Sequence, residues 1–393
     1  MIEFVGSSET GAKIRIVGVG GGGGNAVNSM IEKGLVGVDF VAVNTDMQAL
    51  ERNKSEHKIR IGKNLTRGLG AGADPQVGQR AAEEDKEEIA RVLGNCDMVF
   101  VTAGMGGGTG TGAGPVVANI AKSLGALVVG IVTKPFNHEG KRRLAAAELG
   151  IEELRKQVDT LIVIPNQRLL AVVDRATPIS QAFEIANAVL HNAARGISDI
   201  ITVPGYINVD FADVKRVMRE MGDALMGTGI ATGENRAVEA ATMAISSPLL
   251  EGVSVAGAQK VLVNITANGQ ISIDEYDAAV QIITEAAGGE VEVISGLVFD
   301  DNMTDEVMVT VIATGFNKKT PAIASQERPF RVVNKVIDHV PTGPSELKPY
   351  DQPAIARNHP TSTLATVNLD PGSSGPINYE ENDRPAFLRK IMD

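Results

Sequence analysis

A single cysteine, Cys96, is the entire thiol content of this 393-residue chain. That excludes an intramolecular disulfide and a cysteine-ligated metal site, and it fits a reducing compartment. The five histidines are scattered, and no zinc-ligand spacing emerges from them. Positive charge is in deficit too: 37 Lys and Arg face 48 Asp and Glu, a formal net charge of -11. Nucleic acids and anionic membranes reward a basic surface, so neither is expected as the main partner. No apolar run approaches the ~18 residues of a membrane-spanning helix. The stretch Met1 to Thr10 lacks a basic region followed by an apolar one, so no secretory leader is expected. These absences together predict a soluble, cytoplasmic protein.

Glycine is what the chain has in abundance, and its placement is ordered. Gly104 to Gly112 reads G-M-G-G-G-T-G-T-G, behind an apolar run from Asp97 to Ala103. Pro115 then opens a segment with Val116, Val117, Ile120, Ala121 and Leu124 at helical spacing, and Ala126 to Thr133 is apolar again. The pattern predicts strand, glycine loop, helix and strand, a βαβ unit. Glycines bring main-chain N–H groups close to an anion, and the helix behind adds unpaired donors and the positive end of its dipole. Such a loop suits a polyphosphate. It is not a Walker loop, because no Lys follows the glycines.

Two more small-residue loops precede it. Gly18 to Gly24 follows a strand at Ile14 to Val19 and opens a helix, with another strand at Asp39 to Asn44. Gly68 to Ala73 precedes a helix begun by Asp74-Pro75, whose run Glu83 to Glu88 reads as a solvated face. All three loops are expected at the C-terminal edge of one parallel sheet, where open α/β sheets bind ligands. Gly18, Gly20 and Gly23, with Asp46 near the end of the second strand, also satisfy a dinucleotide fingerprint. A nicotinamide-dependent dehydrogenase is therefore the rival enzyme reading, though it leaves Gly104 to Gly112 unexplained.

A strand at Leu161 to Ile164 and Thr177-Pro178 lead into a long helix, with Ile179, Phe183, Ala186, Leu190, Ala193, Ile197 and Ile200 along one face. The rest mixes helices (Phe211 to Met226, Glu234 to Ile245, Asp274 to Ala287) with strands (Val261 to Thr266, Val291 to Val298, Val307 to Thr314). That is the pattern of a compact α+β domain. After Phe316 periodicity vanishes, and nine of the seventeen prolines fall between Lys318 and Pro376. A disordered linker is expected there. Asp383, Pro385, Phe387, Leu388 and Ile391 restore a short helical pattern, suited to docking on a partner.

G-G-G-T-G-T-G at Gly106 to Gly112 resembles the signature loop of the tubulin superfamily, and the surrounding chain resembles its FtsZ family of bacterial division GTPases. G-V-G-G-G-G-G-N-A-V-N at Gly18 to Asn28 is similar to that family's first nucleotide loop. Further motifs are T-K-P-F-N-H-E-G-K-R-R at Thr133 to Arg143, N-V-D-F-A-D-V at Asn208 to Val214, and P-A-F-L-R-K at Pro385 to Lys390. The resemblance implies a Rossmann-type GTP-binding domain (1–176), a central helix (177–203), an α+β activation domain (204–316), a disordered linker (317–377) and a partner-binding peptide (378–393). It implies GTP or GDP lined by Gly21, Gly22, Gly23, Gly24 and Asn25, with phosphates cradled by Gly104, Gly107, Gly108, Thr109 and Gly110. Glu139 and Arg143 then flank ribose and phosphate, Asn166 and Asn187 read the guanine edge, and Phe183 stacks on the base. Read from the residues alone, Phe183 is instead a core side chain. His138, Ala188 and Arg384 depart from the family pattern.

Asn208, Asp210 and Asp213 have two readings. Asp210 can cap a helix starting at Phe211, with Asp213 in its first turn. Alternatively, the acids orient the water that attacks the γ-phosphate. Carboxylates on the nucleotide's own loops would repel a triphosphate, so the second reading favours a site completed by a neighbouring subunit. A contact of that kind that does not close produces a filament. The family implies this head-to-tail protofilament and its division ring, with Mg²⁺ held mainly by phosphates and water. It also implies membrane-anchoring and regulatory division proteins bound through Asp383 to Asp393, at mid-cell, without nucleic acid or direct membrane insertion.

Overall fold

The computed structural model describes residues 11–316, apart from 172–176, 204, 208, 251–254 and 289–290. In chain order the elements begin β1 (Ile14–Val19), α1 (Gly20–Glu32), β2 (Asp39–Asn44), α2 (Met47–Glu51), β3 (His57–Arg60), α3 (Lys63–Thr66), α4 (Pro75–Glu84) and α5 (Lys86–Leu93). They continue with β4 (Met98–Gly104), α6 (Thr109–Ser123), β5 (Leu127–Lys134), α7 (Lys141–Arg155), β6 (Thr160–Pro165), α8 (Asn166–Leu169) and α9 (Ile179–Thr202). Last come α10 (Phe211–Met218), β7 (Gly222–Thr232), α11 (Arg236–Ile245), β8 (Lys260–Ala267), α12 (Ile273–Ala287), β9 (Glu292–Phe299) and β10 (Glu306–Thr314).

The strands form one sheet in the order β3-β2-β1-β4-β5-β6-β7-β10-β8-β9. From β3 to β7 every neighbour is parallel. Such strands are buried on both faces, which explains near-continuous apolar runs such as M-V-F-V-T-A-G in β4. Alternate residues then serve two cores. Ile14, Ile16, Met98, Phe100, Val129 and Ile131 pack with α1 and α9, while Val17, Val19, Val99, Val101, Val128 and Val132 pack beneath α4 to α7. The chain builds outward from β1 to β3, then returns to place β4 on the other side of β1. The sheet therefore reverses its winding between β1 and β4, where a crevice opens at the C-terminal strand ends. Val19 is level with Ala103 across that pair, so the glycine loops that follow β1 and β4 leave the sheet side by side.

Helix α9 is the long helix expected from the periodicity. Its face Leu190, Ala193, Ala194, Ile197 and Ile200 is buried. Each large apolar side chain there stabilises by about 1.5–3 kcal/mol. No side chain caps its start: Pro178 is the N-cap residue and makes no cap hydrogen bond. At 24 residues it spans about 36 Å.

Two expectations fail at element boundaries. The helix expected over Phe211 to Met226 stops at Met218, because Glu220 (φ 56°) and Gly222 (φ 72°) turn left-handed and β7 begins. Ala224 and Met226 then face the α9 core and Leu225 the other face, the period of two of a strand, although Met221 and Leu225 also continue the helical spacing of Val214, Val217 and Met218. The helix expected to open at Pro115 begins six residues earlier, at Thr109, leaving Pro115 in its interior. β10 pairs antiparallel with β7 and β8, and β9 parallel with β8; α11 and α12 complete a third core. The α+β character is as expected, but these strands are hydrogen-bonded into the same sheet through β6 and β7.

Candidate functional site

The three small-residue loops meet at the sheet edge above β1 and β4. A Cβ on Gly20 would lie 2.7 Å from Gly110 N, and one on Gly22 would lie 2.9 Å from Gly104 Cα. One on Gly108 would meet Ala71 Cβ at 2.8 Å, which brings in the third loop. Gly18 and Gly23 are pressed together, and Gly110 approaches Gly104 O. These glycines are needed for loop-to-loop packing. Gly21 and Gly107 are different: a Cβ on either meets nothing within 4 Å, and neither has a positive φ. Neither packing nor backbone geometry within the chain calls for glycine there, and the bare backbone leaves room for close approach from outside the chain.

The loops are also the first turns of helices. α1 starts at Gly20 and α6 at Thr109, and neither has an acidic residue in its first turn. Their unpaired N–H groups and dipole ends therefore face the crevice without a carboxylate to compete for them. Hydrogen bonds hold the arrangement. Gly106 N donates to Thr111 Oγ1 at 2.9 Å, Met105 N to Thr133 O at 2.9 Å, and Asn53 Nδ2 to Gly24 O at 2.9 Å. The Thr45 and Thr109 hydroxyls lie 2.7 Å apart, tying the end of β2 to the start of α6. A cleft of about 300 Å³ borders the first loop, lined by Gly20, Gly21, Gly24, Asn25 and Asn44 among others. A larger groove, about 1260 Å³, runs over α6 between α4 and α7 and reaches the site at Gly106, Glu139 and Arg143.

The segment after β5 supplies the next wall. Glu139 accepts from Phe136 N at 2.9 Å through one oxygen and pairs with Arg143 at 2.8 Å through the other. Phe136 is buried and packs edge-on against Phe183 of α9, ring centroids 5.3 Å apart. Phe183 is 41% exposed, so it is not the core residue that periodicity alone allows. Asn187 is half-buried one turn along. Asn166, at the end of β6, is only 4% exposed, and its Oδ1 has no hydrogen-bond partner. A buried amide oxygen without a partner costs about 1–3 kcal/mol, so this atom is poised for a donor from elsewhere. Asn25, Gly21 and Gly22 are exposed, and Gly23 is buried.

Asp210 and Asp213 stand apart from these loops. Helix α9 starts beside Phe136 and ends with Thr202 against Gly37, which precedes β2 at the opposite sheet edge. The two acids follow that far end. Asp210 is the N-cap of α10 and accepts from Asp213 N at 2.9 Å, as the capping reading expects. The Asp213 carboxylate lies 3.3 Å from Arg216 Nη2. Asn208 and the peptide Asp383 to Asp393 lie outside the described residues.

Two residues of this edge were given no role from sequence. Thr45 carries no motif, and its hydroxyl contact with Thr109 spans 64 positions. Phe136 lies within the Thr133 to Arg143 motif but is buried in a loop where the pattern gives no period. Asp46, the acid of the dinucleotide fingerprint, is engaged as the N-cap of α2, accepting from Gln48 N and Ala49 N.

Comparison with known proteins agrees with this architecture. A family model described as the Tubulin/FtsZ family, GTPase domain, matches residues 13–174, and one described as the FtsZ family, C-terminal domain, matches residues 222–317. Among solved structures, an empty FtsZ dimer from M. jannaschii is 44% identical, with 79% of this chain and 90% of that one covered and a TM-score of 0.76. CetZ2 from Haloferax volcanii, as a GTPγS-bound protofilament, is 21% identical, with 77% and 92% covered and a TM-score of 0.65. CetZ1 of the same organism, as a GDP-bound monomer, is 23% identical, with 77% and 94% covered and a TM-score of 0.67. With that identity over most of its length, the winding reversal between β1 and β4, and glycine loops meeting above it, the chain belongs to the FtsZ family of tubulin-like GTPases.

Proposed function

We propose that this chain binds GTP in the crevice above β1 and β4, assembles head to tail, and hydrolyses the nucleotide at the contact between subunits. The carrying observation is the division among the loop glycines: most are packed against one another, while Gly21 and Gly107 face open space. Backbone N–H groups of Gly21, Gly22, Gly23, Gly24 and Asn25, and of Gly104, Gly107, Gly108, Thr109 and Gly110, would line and cradle the phosphates. Arg143, oriented by Glu139, adds a positive charge beside them. The unpartnered Asn166 Oδ1 fits an N–H donor of guanine, Asn187 lies on the same side, and Phe183 offers an exposed ring for stacking. Mg²⁺ would be held mainly by phosphate oxygens and water, offsetting the phosphate charge. Among the described residues no group of three His, Cys, Asp or Glu forms a ready-made cage.

Asp210, Asp213 and Asn208 are the proposed water-orienting groups, acting on a neighbour's nucleotide. About 36 Å of α9 separates their end of the molecule from the loops, and Asp210 is exposed. A second copy stacked end to end would bring acceptor carboxylates to a phosphate cradle that lacks them. The filament forms in CetZ2 and the dimer in the M. jannaschii protein support self-association of this kind. The cellular role would be the cytoplasmic division ring at mid-cell, recruited by membrane-anchoring and regulatory proteins that bind Asp383 to Asp393. The division into a GTP-binding part, central helix and activation part follows the same reading. GTP-dependent pelleting with phosphate release in one tube tests the proposal: both should rise together above a threshold concentration. Constant specific activity from dilute to concentrated protein would reject an interfacial site.

A further inference from the structure

One short segment reaches both the phosphate side and the base side of the proposed nucleotide site. Residues 135–140 join β5 to α7, with a single 3₁₀ turn at Asn137–Glu139. Glu139 reaches Arg143 on the phosphate side. Asn137 N donates to Gln167 Oε1 at 3.1 Å, next to Asn166 on the base side. Phe136 packs edge-on against Phe183, interplanar angle 89°. His138 completes the set: its ring lies on Phe136, centroids 5.2 Å apart and planes 18° from parallel. Asn137 and His138 are exposed, yet Phe136 between them and the core is only 1% exposed. Part of what keeps Phe136 from water is therefore the flat face of His138.

We infer that His138 is a positioning residue for the nucleotide base, acting through Phe136 on Phe183. The inference rests on the proposal that Phe183 stacks on guanine. An imidazole stacked on a buried phenyl ring limits where that ring can tilt, and the ring's edge sets the plane of Phe183. Phe183 is half out in solvent and has no other aromatic contact among the described residues. Without the roof, Phe136 can tilt toward the water it now avoids, and Phe183 loses the edge that orients it. The phosphate cradle has separate supports, the Thr45–Thr109 contact and the Gly106–Thr111 hydrogen bond, so it should not feel the change. The stack of the base on Phe183, an aromatic pair worth about 0.5–1.5 kcal/mol, sets the effect on affinity at roughly two- to tenfold.

The test is titration of GDP into dilute full-length protein, beside GTP turnover in the assembled state, for His138→Ala, His138→Phe and Phe183→Ala. His138→Ala should weaken GDP binding about three- to tenfold and raise the KM for GTP, leaving kcat and the melting temperature in place. His138→Phe, which keeps a flat ring, should restore affinity. Wild-type affinity in His138→Ala with weakened Phe183→Ala overturns the inference and spares the stacking proposal. Unchanged binding in both overturns the stacking proposal itself. Equal weakening in His138→Ala and His138→Phe, or a loss of kcat and melting temperature alongside affinity, assigns His138 another role. His138→Gln, with a planar amide, keeps the test open if the alanine variant does not fold.

Discussion

The two ends of α9 are built on opposite plans. At its N-terminal end the side chains are left incomplete: Phe183 is partly exposed, Asn166 Oδ1 is buried without a partner, and Gly21 and Gly107 face nothing. At its C-terminal end the groups are closed off within the chain. Arg195 bonds to Asp199 at 2.9 Å and Asp300 at 2.6 Å, tying the helix to the end of β9, and Thr202 sits against Gly37. The open end leaves room for a ligand, while the tied end is fixed to the rest of the fold. The Asp210–Asp213 turn hangs from the closed end, so its carboxylates can be held in place without touching the chain's own nucleotide loops.

The sharpest way to break this comparison is Asp210→Ala. Turnover should fall by about a hundredfold or more, the scale of losing a group that acts only in the transition state, while GTP binding to the monomer stays. Lost monomer binding would place the acid in its own chain's pocket. Next comes a pair of changes in one loop. Gly107→Val should weaken GTP binding roughly tenfold or more without lowering the melting temperature, because its side chain enters only the space left for the ligand. Gly112→Ala should instead lower stability by about 1–3 kcal/mol, since its Cβ would lie 1.9 Å from Pro75 O. Identical outcomes for the two would erase the distinction between packed and facing glycines.

At the closed end, Arg195→Ala should destabilise the fold by about 1–3 kcal/mol in denaturant titration, because Asp199 is buried and left unpaired. The smallest effect at working pH belongs to His191, whose burial, with help from the charges of Lys33 and Arg195, lowers its pKa to about 4. Above the ordinary value near 6.5 the imidazole is neutral in both states and contributes no pH dependence. Between there and about 4 the unfolded chain takes up a proton that the folded chain refuses, so stability falls as pH falls. The loss is about 1 kcal/mol near pH 5.5. His191→Leu should flatten that part of the profile; an unchanged slope would assign it to other groups.

Legibility in the sequence followed the range of the interaction that decides each feature. Strands β1, β2 and β4 were readable as short apolar runs bounded by turn residues, and helices α9 and α12 because their apolar positions repeat at helical spacing. The turn from α10 into β7 was not, because Met221 and Leu225 match a helical stripe and only the left-handed Glu220 and Gly222 end it. The Arg195–Asp300 tie was invisible, since its partners stand 105 positions apart. The loops could be read as suited to phosphate, but the sequence did not say which of their glycines pack and which face open space.

The order of strands and glycine loops, the acidic surface and the family motifs were settled by the chain's own residues, because local propensity and backbone chemistry act over a few neighbours. Tertiary structure decided the rest: that Gly21 and Gly107 alone of these loop glycines look outward with no positive φ, that Phe136 packs against both Phe183 and His138, and that one sheet runs unbroken through β6 and β7. Those outcomes depend on which distant segments come within a few ångströms, and contact at that range is a property of the folded chain rather than of any stretch within it.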